Sequence, residues 1–204
     1  MRWLVHSETS LYSDERLDLR VADVELPDGR HLDRRLVRTA PGAGAVVTDG
    51  HDRVLLVWRH RFITDTWGWE IPLGRIDEGE MPIAAAAREV EEETGWRPGP
   101  LRPLLSVQPF NGLSDSLHHV YRAESATRVA PPADPPEATR VEWLHLSLVR
   151  GLIADGEMVC GTSVAALLYL LVEHTPHEGS ARPPAEPAHD PGRRLLLPDL
   201  PDLF

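Results

Sequence analysis

The chain has 204 residues, 42% hydrophobic and 26% charged, which suits one soluble globular domain with appendages. No apolar run reaches the ~20 residues a membrane helix requires. The N-terminus also lacks the unbroken apolar stretch of a secretory signal, so a cytoplasmic protein with no membrane attachment is expected. A net charge of −11, with every cationic side chain an arginine, argues against a nucleic-acid polymer as partner, because phosphate contacts dominate that affinity and need a basic face. The single cysteine, Cys160, excludes an internal disulfide or a multi-cysteine zinc site and reads as a small buried hydrophobe.

Taken in chain order, the alternation of Leu17, Leu19, Val21, Val24 and Leu26 with polar residues, broken at Pro27-Asp28-Gly29, predicts an antiparallel hairpin over Leu17 to Arg38. Gly44 to Val47 and Val54 to Trp58 are predicted as strands around a turn at Asp49 to Asp52. The continuous apolar run of the second indicates a strand covered on both faces. Pro82 to Thr94 is the clearest helix: proline at a tolerated first-turn position, four alanines, and Gly95 where a left-handed cap belongs. Leu101 to Gln108, His118 to Ala123 and Arg140 to Leu144 read as further strands, and Ser147 to Ile153 and Thr162 to Glu173 as closing helices. The fold class is α+β with a mixed sheet. Three regions are expected: N-terminal strands over 1–43, a main domain over 44–175, and a tail over 176–204. In that tail, 176–194 is too poor in large apolar groups to offset chain entropy.

The chemistry concentrates on the Pro82 to Thr94 helix. Positions three and four apart share a helical face, so Glu89, Glu92 and Glu93 present carboxylates together while Ala86 and Val90 turn inward. Like charges so placed repel, and a hard divalent cation is the economical compensator; Mg²⁺ suits carboxylates and bridges protein oxygens to substrate phosphates. A glutamate-rich run is more often only a solvated helix face, so spacing has to carry the distinction.

From Gly74 the chain reads glycine, five residues, Glu80, seven residues, Arg88-Glu89, Val90, any residue, Glu92-Glu93, any residue, Gly95. This unbroken pattern resembles the Nudix box, with Trp96 where an aliphatic residue is usual. The Trp58-Arg59-His60-Arg61 and Trp69 to Gly74 segments, with Pro109, resemble the ADP-ribose and nucleotide-sugar pyrophosphatase subgroup. The resemblance extends over roughly 17–173 and implies an α/β/α sandwich carrying a loop-helix-loop site, Mg²⁺ or Mn²⁺ as cofactor, and a homodimer whose N-terminal strands contribute to the interface. The expected substrate is a nucleoside diphosphate linked to a sugar, ADP-ribose foremost. It further implies that Glu89 and Glu93 are metal ligands, Glu92 a further ligand or outer acid, the Leu73 carbonyl another ligand, Arg88 the residue orienting the glutamates, and Glu80 a support for the loop.

Where the subgroup often has a glutamate after a Ser-Asp pair, this chain has Ser116 after Ser114-Asp115. Asp115 or a box glutamate is therefore the candidate base, and the alternative for Asp115 is a turn-capping role. Arg61, Glu70, Pro109 and Trp69 are candidate substrate contacts. For Trp67 and Trp69 core packing competes with stacking on a base, and for Arg59 and Arg61 solvation competes with phosphate contact. His118 and His119 are expected to face solvent from a strand. Other readings keep the box with a dinucleoside polyphosphate, nucleoside triphosphate or isoprenoid-type diphosphate as substrate, or make the chain a non-catalytic ligand sensor.

Overall fold

The computed structural model describes residues 2–129, 131 and 138–173; the predicted tail over 176–204 lies outside them. Within them the order is β1 (Leu4–Ser13), β2 (Leu17–Glu25), β3 (His31–Thr39), β4 (Gly42–Val47), β5 (Arg53–Arg61), β6 (Thr66–Glu70), β7 (Leu73–Arg75), α1 (Pro82–Thr94), β8 (Trp96–Pro98), β9 (Arg102–Val107), β10 (His118–Ala123), β11 (Ala126–Arg128) and β12 (Ala138–His145). A 3₁₀ turn over Leu146–Leu148, α2 (Val149–Ala154) and α3 (Gly161–Glu173) complete it.

The chain forms a mixed sheet in the order β7-β4-β10-β9, in which β4 and β10 run parallel. An antiparallel sheet β12-β5-β6 packs beside it, and β8 pairs with β11. Helices cover both faces, and the strand residues sort accordingly. Ala45, Val47 and Leu55 pack with Val90 of α1, and Ala43 packs with Ala85 and Ala86 of the same helix. Val46, Val54 and Leu56 pack instead with Val149 of α2 and Ala166, Leu167 and Leu170 of α3. A strand sandwiched in this way cannot alternate polar with apolar, which is why β4 and the middle of β5 are unbroken apolar runs. The mixed sheet between helical layers agrees with the α/β/α expectation.

Helix α1 covers its predicted span and ends on Gly95 at φ 73°, whose N–H donates to the carbonyl of Glu91. The predicted Ser147 to Ile153 helix is a 3₁₀ turn followed by the short α2. The predicted N-terminal hairpin is correct, but a third strand, β1, pairs antiparallel with β2 to give the order β1-β2-β3. β1 lies almost wholly exposed, so it is held by its ladder rather than by an apolar face, and periodicity carries no sign of it. Strands β6, β7, β8 and β11 were likewise unpredicted; the last three have three residues each and exist because β4 or one another supplies a partner.

The approach of β7 to β4 needs a glycine at 44. A Cβ there would stand 2.7 Å from the Leu73 Cβ and 2.9 Å from its Cα, with the Pro72 carbonyl closer still. Gly44→Ala is therefore expected to destabilise the fold by about 1–3 kcal/mol, because backbone rather than a flexible side chain must yield. The urea midpoint of the variant against the parent measures this; an unchanged midpoint would show that β7 can move away without cost.

Candidate active site

Strand β5 continues past Trp58 to Arg61, and this continuation builds one wall of the site. Arg59 is 3% exposed and its Nη2 lies 2.7 Å from Oε2 of Glu93 on α1. Directly opposite Arg59 on β6 stands Gly68. Arg61, two residues on, forms a bidentate pair with Glu70: Nε to Oε1 at 2.9 Å and Nη2 to Oε2 at 2.6 Å. Glu70 is buried on β6, and this fork across two neighbouring strands holds the Arg61 guanidinium above its ordinary pKa, Glu70 being the main cause and Glu93 a lesser one.

On α1 the carboxylates divide into two inner and one outer. Glu93 and Glu89 are 13% and 12% exposed, whereas Glu92 is 50% exposed. Burial pushes the Glu93 carboxyl up to about 7 against an ordinary 4.5, with Arg59 opposing the rise and Glu89 adding to it. Glu89 is raised as well, chiefly by burial, with Arg88 opposing. The Leu73 N–H donates to Glu93 Oε2 at 3.3 Å, which seats β7 against the helix. The Glu89 carboxyl group occupies the space where a Cβ on residue 74 would project, so only glycine permits this seating.

Arg88 joins the remainder. Its Nε and Nη2 donate to the two oxygens of Glu80 at 3.0 and 2.8 Å, its Nη1 to Glu89 at 2.7 Å and Glu92 at 3.0 Å, and its Nη2 to the Arg75 carbonyl at 2.9 Å. Glu80 in turn accepts from the Asp77 N–H at 3.1 Å, so the loop before α1 and the helix itself share one guanidinium. The cation holds the Glu80 carboxyl below its ordinary range.

The three carboxylates do not converge on one point as helical spacing suggested: among the described residues no three ligand atoms from Glu89, Glu92 and Glu93 gather within 4.8 Å of one another. Arg59 and Arg88 draw them apart. The inner pair nevertheless suits a divalent cation of the magnesium and manganese kind. One hard carboxylate, Glu89, sits where a Cβ on residue 74 would project, and the other, Glu93, is so poorly solvated that burial pushes it up to about 7.

The other sequence candidates are placed as follows. Asp115 lies in the loop between β9 and β10, its Oδ2 receiving Arg38 Nη1 of β3 at 2.6 Å, and Arg38 also reaches Glu8 of β1 at 2.7 Å. That loop rejoins the sheet where the Gly42 N–H donates to the Leu117 carbonyl, the end of β4 that also pairs with Gly74 and Arg75. Pro109 is exposed in the same loop. Trp69 is 3% exposed in the core, 5.2 Å from Trp58 between ring centroids and 5.0 Å from the Arg140 guanidinium. Its ring is therefore not open to stacking on a base; the exposed ring is Trp67, at 46%. Trp96 packs edge-on against Trp143. His118 is half-buried instead of solvent-facing, with Nδ1 2.9 Å from Thr162 Oγ1, which links β10 to α3. Burial lowers the pKa of His118 and of His119. Arg59 as the partner of Glu93 escaped sequence reasoning, although an arginine closing an apolar strand run was the available sign. An open groove of about 620 Å³ runs along α1 beside Ile83, Ala87, Arg97 and Leu101, touching Arg88 and Glu92 but not the inner pair.

Residues 38–159 match the NUDIX domain family. The chain is a Nudix hydrolase. It is 43% identical over 172 residues, 84% of this chain and 83% of the other, to a Streptomyces rubellomurinus protein named CMP-5'-(N-acetyl-N-hydroxy-3-aminopropyl)phosphonate hydrolase. It is 32% identical over 168 residues, 80% of this chain and 90% of the other, to the ADP-ribose pyrophosphatase of Bacillus subtilis. A crystal structure of an ADP compounds hydrolase shares the fold with a TM-score of 0.73 at 17% identity, covering 85% of this chain and 94% of that one. This Nudix hydrolase thus carries the box on the family's own scaffold.

A carboxyl whose folded-state pKa lies above its unfolded value stabilises the fold fully below the unfolded value and loses that contribution as pH rises through the folded one. For Glu93 the window runs from 4.5 to about 7. In metal-free protein, the stability of wild type relative to Glu93→Gln is expected to fall across that window by roughly 3 kcal/mol at most. Urea unfolding at intervals of pH measures it, and a difference independent of pH would show that Glu93 is ionised throughout.

Proposed function

We propose that the chain hydrolyses a phosphoanhydride joining a nucleoside monophosphate to a second phosphoryl group that carries an organic moiety, with Mg²⁺ as cofactor and Mn²⁺ as a substitute. The observation that carries this reading is the buried Glu93, paired with Arg59 and set beside Glu89 against Gly74. ADP-ribose is the first substrate to test, supported by the ADP-ribose pyrophosphatases of Bacillus subtilis and Mycobacterium tuberculosis among the relatives. A second reading, a cytidylyl group on a phosphonate, is favoured by the 43% identical relative, whose name describes such a compound.

Glu89, Glu93 and the Leu73 carbonyl would hold the metal, with Glu92 as an outer ligand. Bound there, it would polarise phosphoryl oxygens and make water a stronger nucleophile near neutral pH. The chain's own residues do the rest. Arg59 holds Glu93 and opposes its protonation. Arg88 fixes Glu89 and Glu92 in one fork and ties the helix to the loop. Arg61, kept charged by Glu70, stands ready to meet phosphate oxygens, and Pro109 shapes the loop that carries Asp115. Water oxygen attacks one phosphorus, the bridging P–O bond breaks, and the departing phosphoryl group keeps the bridging oxygen. The proton released by the water passes to Asp115, which Arg38 holds in its loop, or alternatively to a box glutamate.

We further propose a homodimer formed through the N-terminal strands, supported by the exposed Trp3, Leu4, Val5, Leu11 and Tyr12 of that region.

Purified protein with Mg²⁺ is expected to release AMP and ribose phosphate from ADP-ribose, and Glu93→Gln and Glu89→Gln to lose kcat by several orders of magnitude while remaining folded. Cytidylyl anhydrides in the same panel separate the two substrate readings by relative kcat/KM. Undiminished turnover by Glu93→Gln would sink the site assignment. For the proton acceptor, Asp115→Asn is expected to lower kcat by about 10²- to 10⁴-fold with little change in KM; a variant at wild-type rate transfers that role to the helix.

A further inference from the structure

The N-terminal sheet carries a group of side chains that the hydrolytic site does not use. Glu25 on β2 stands directly opposite His31 on β3, and Asp23 opposite Asp33, so all four share one face. β1 joins this face through an irregularity. Its register with β2 runs Leu4 with Glu25, Val5 with Val24, and then Ser7 with Asp23, leaving His6 as the extra residue of a bulge. A bulge of this kind re-aims a side chain, and here it brings His6 Nε2 to 2.6 Å from Glu25 Oε2 and the His6 ring to 5.0 Å from that of His31.

One ligand atom from each of His6, Glu25 and His31 lies within 4.8 Å of the others, a gathering the box glutamates do not achieve. We propose that these three residues bind a borderline divalent transition-metal cation of the zinc kind, at a site separate from the box. Two imidazoles and one carboxylate are the donor set that such a cation prefers, whereas Mg²⁺ and Ca²⁺ favour oxygen alone. Around a tetrahedral zinc with ligands at ~2.0–2.2 Å, donor atoms stand roughly 3.4 Å apart, which these partly exposed side chains reach by small rotations. Asp23 supplies the outer support: its Oδ1 is 2.8 Å from Nδ1 of His31, the carboxylate–histidine–metal arrangement that orients a ligating ring. The Asp23 and Asp33 carboxylates facing each other across the ladder repel in the absence of a cation, so the face gains from one. Three protein ligands leave a coordination position for water or for a side chain from a second copy.

The test uses the full chain, stripped of metal and titrated with Zn²⁺ by calorimetry in millimolar Mg²⁺, added as a competitor for the box. One equivalent of Zn²⁺ is expected to bind wild type and to be lost in His6→Ala and His31→Ala, with Asp23→Asn weakened by about 10- to 100-fold. Co²⁺ in place of Zn²⁺ should give the visible absorption of a four-coordinate site in wild type only. Zn²⁺ should also raise the Tm of wild type more than that of Glu25→Gln, a near-isosteric change that keeps the strand's shape. All four variants are expected to keep the Mg²⁺-dependent activity of wild type. Equal Zn²⁺ stoichiometry and affinity in wild type, His6→Ala and Glu25→Gln would overturn the proposal, as would loss of the bound equivalent in Glu93→Gln alone, which would place it in the box.

Discussion

The site rests on one ion pair withdrawn from water. Placing the Arg59 guanidinium and the Glu93 carboxylate in an interior between β5 and α1 carries a desolvation cost of several kcal/mol per ion, which their attraction offsets only at close range. Such a pair adds little net stability against an apolar alternative, but removing either partner strands a buried charge. It therefore fixes where α1 sits on β5 more strictly than it strengthens the fold. The raised pKa of Glu93 is the remaining imbalance: Arg59 does not fully compensate burial, so the carboxyl gains from a further positive charge.

Around that pair the arginines act as internal counterions. Arg61 answers Glu70, and Arg88 answers Glu80, Glu89 and Glu92 together. In a chain of net charge −11 this local pairing lets an acidic helix approach an anionic substrate, because the negative field is neutralised where the chemistry occurs. It also explains why the glutamates spread instead of converging: Glu93 is drawn to Arg59, whereas Glu89 and Glu92 are drawn to Arg88. Close backbone approach supplies the remaining precision, with Gly44 admitting β7 to β4 and Gly74 admitting the Glu89 carboxyl.

The N-terminal sheet enters the same arrangement through Arg38, which links Glu8 of β1 to Asp115 in the loop beside the box. Val37 of β3 also donates its N–H to the Leu113 carbonyl of that loop, so order in the sheet and order in the loop are coupled through one side chain and one backbone contact. A cation held by His6, Glu25 and His31 would tighten all three strands and act on that coupling from a distance.

The reaction class was legible in the sequence because it depends on local spacing. The intervals from Gly74 to Gly95 set which side chains share a helical face, and helix geometry is the same wherever the helix lies. The doubly covered strands were legible for a similar reason: burial on both faces leaves an apolar run in β4 and β5. The short strands β7, β8 and β11, the exposed strand β1, and the pairings of Arg59 with Glu93 and Arg38 with Asp115 were not. Each depends on a partner distant in the chain, and neither propensity nor periodicity encodes which distant residue will arrive. The sequence by itself determined the carboxylates, the helix that carries them and the layers that cover the sheet. Arg88 and its helical neighbours were part of that local pattern, but tertiary structure alone decided that Arg59 neutralises Glu93 and Arg61 neutralises Glu70, because a charge pair between elements is set by distance and desolvation in the folded chain.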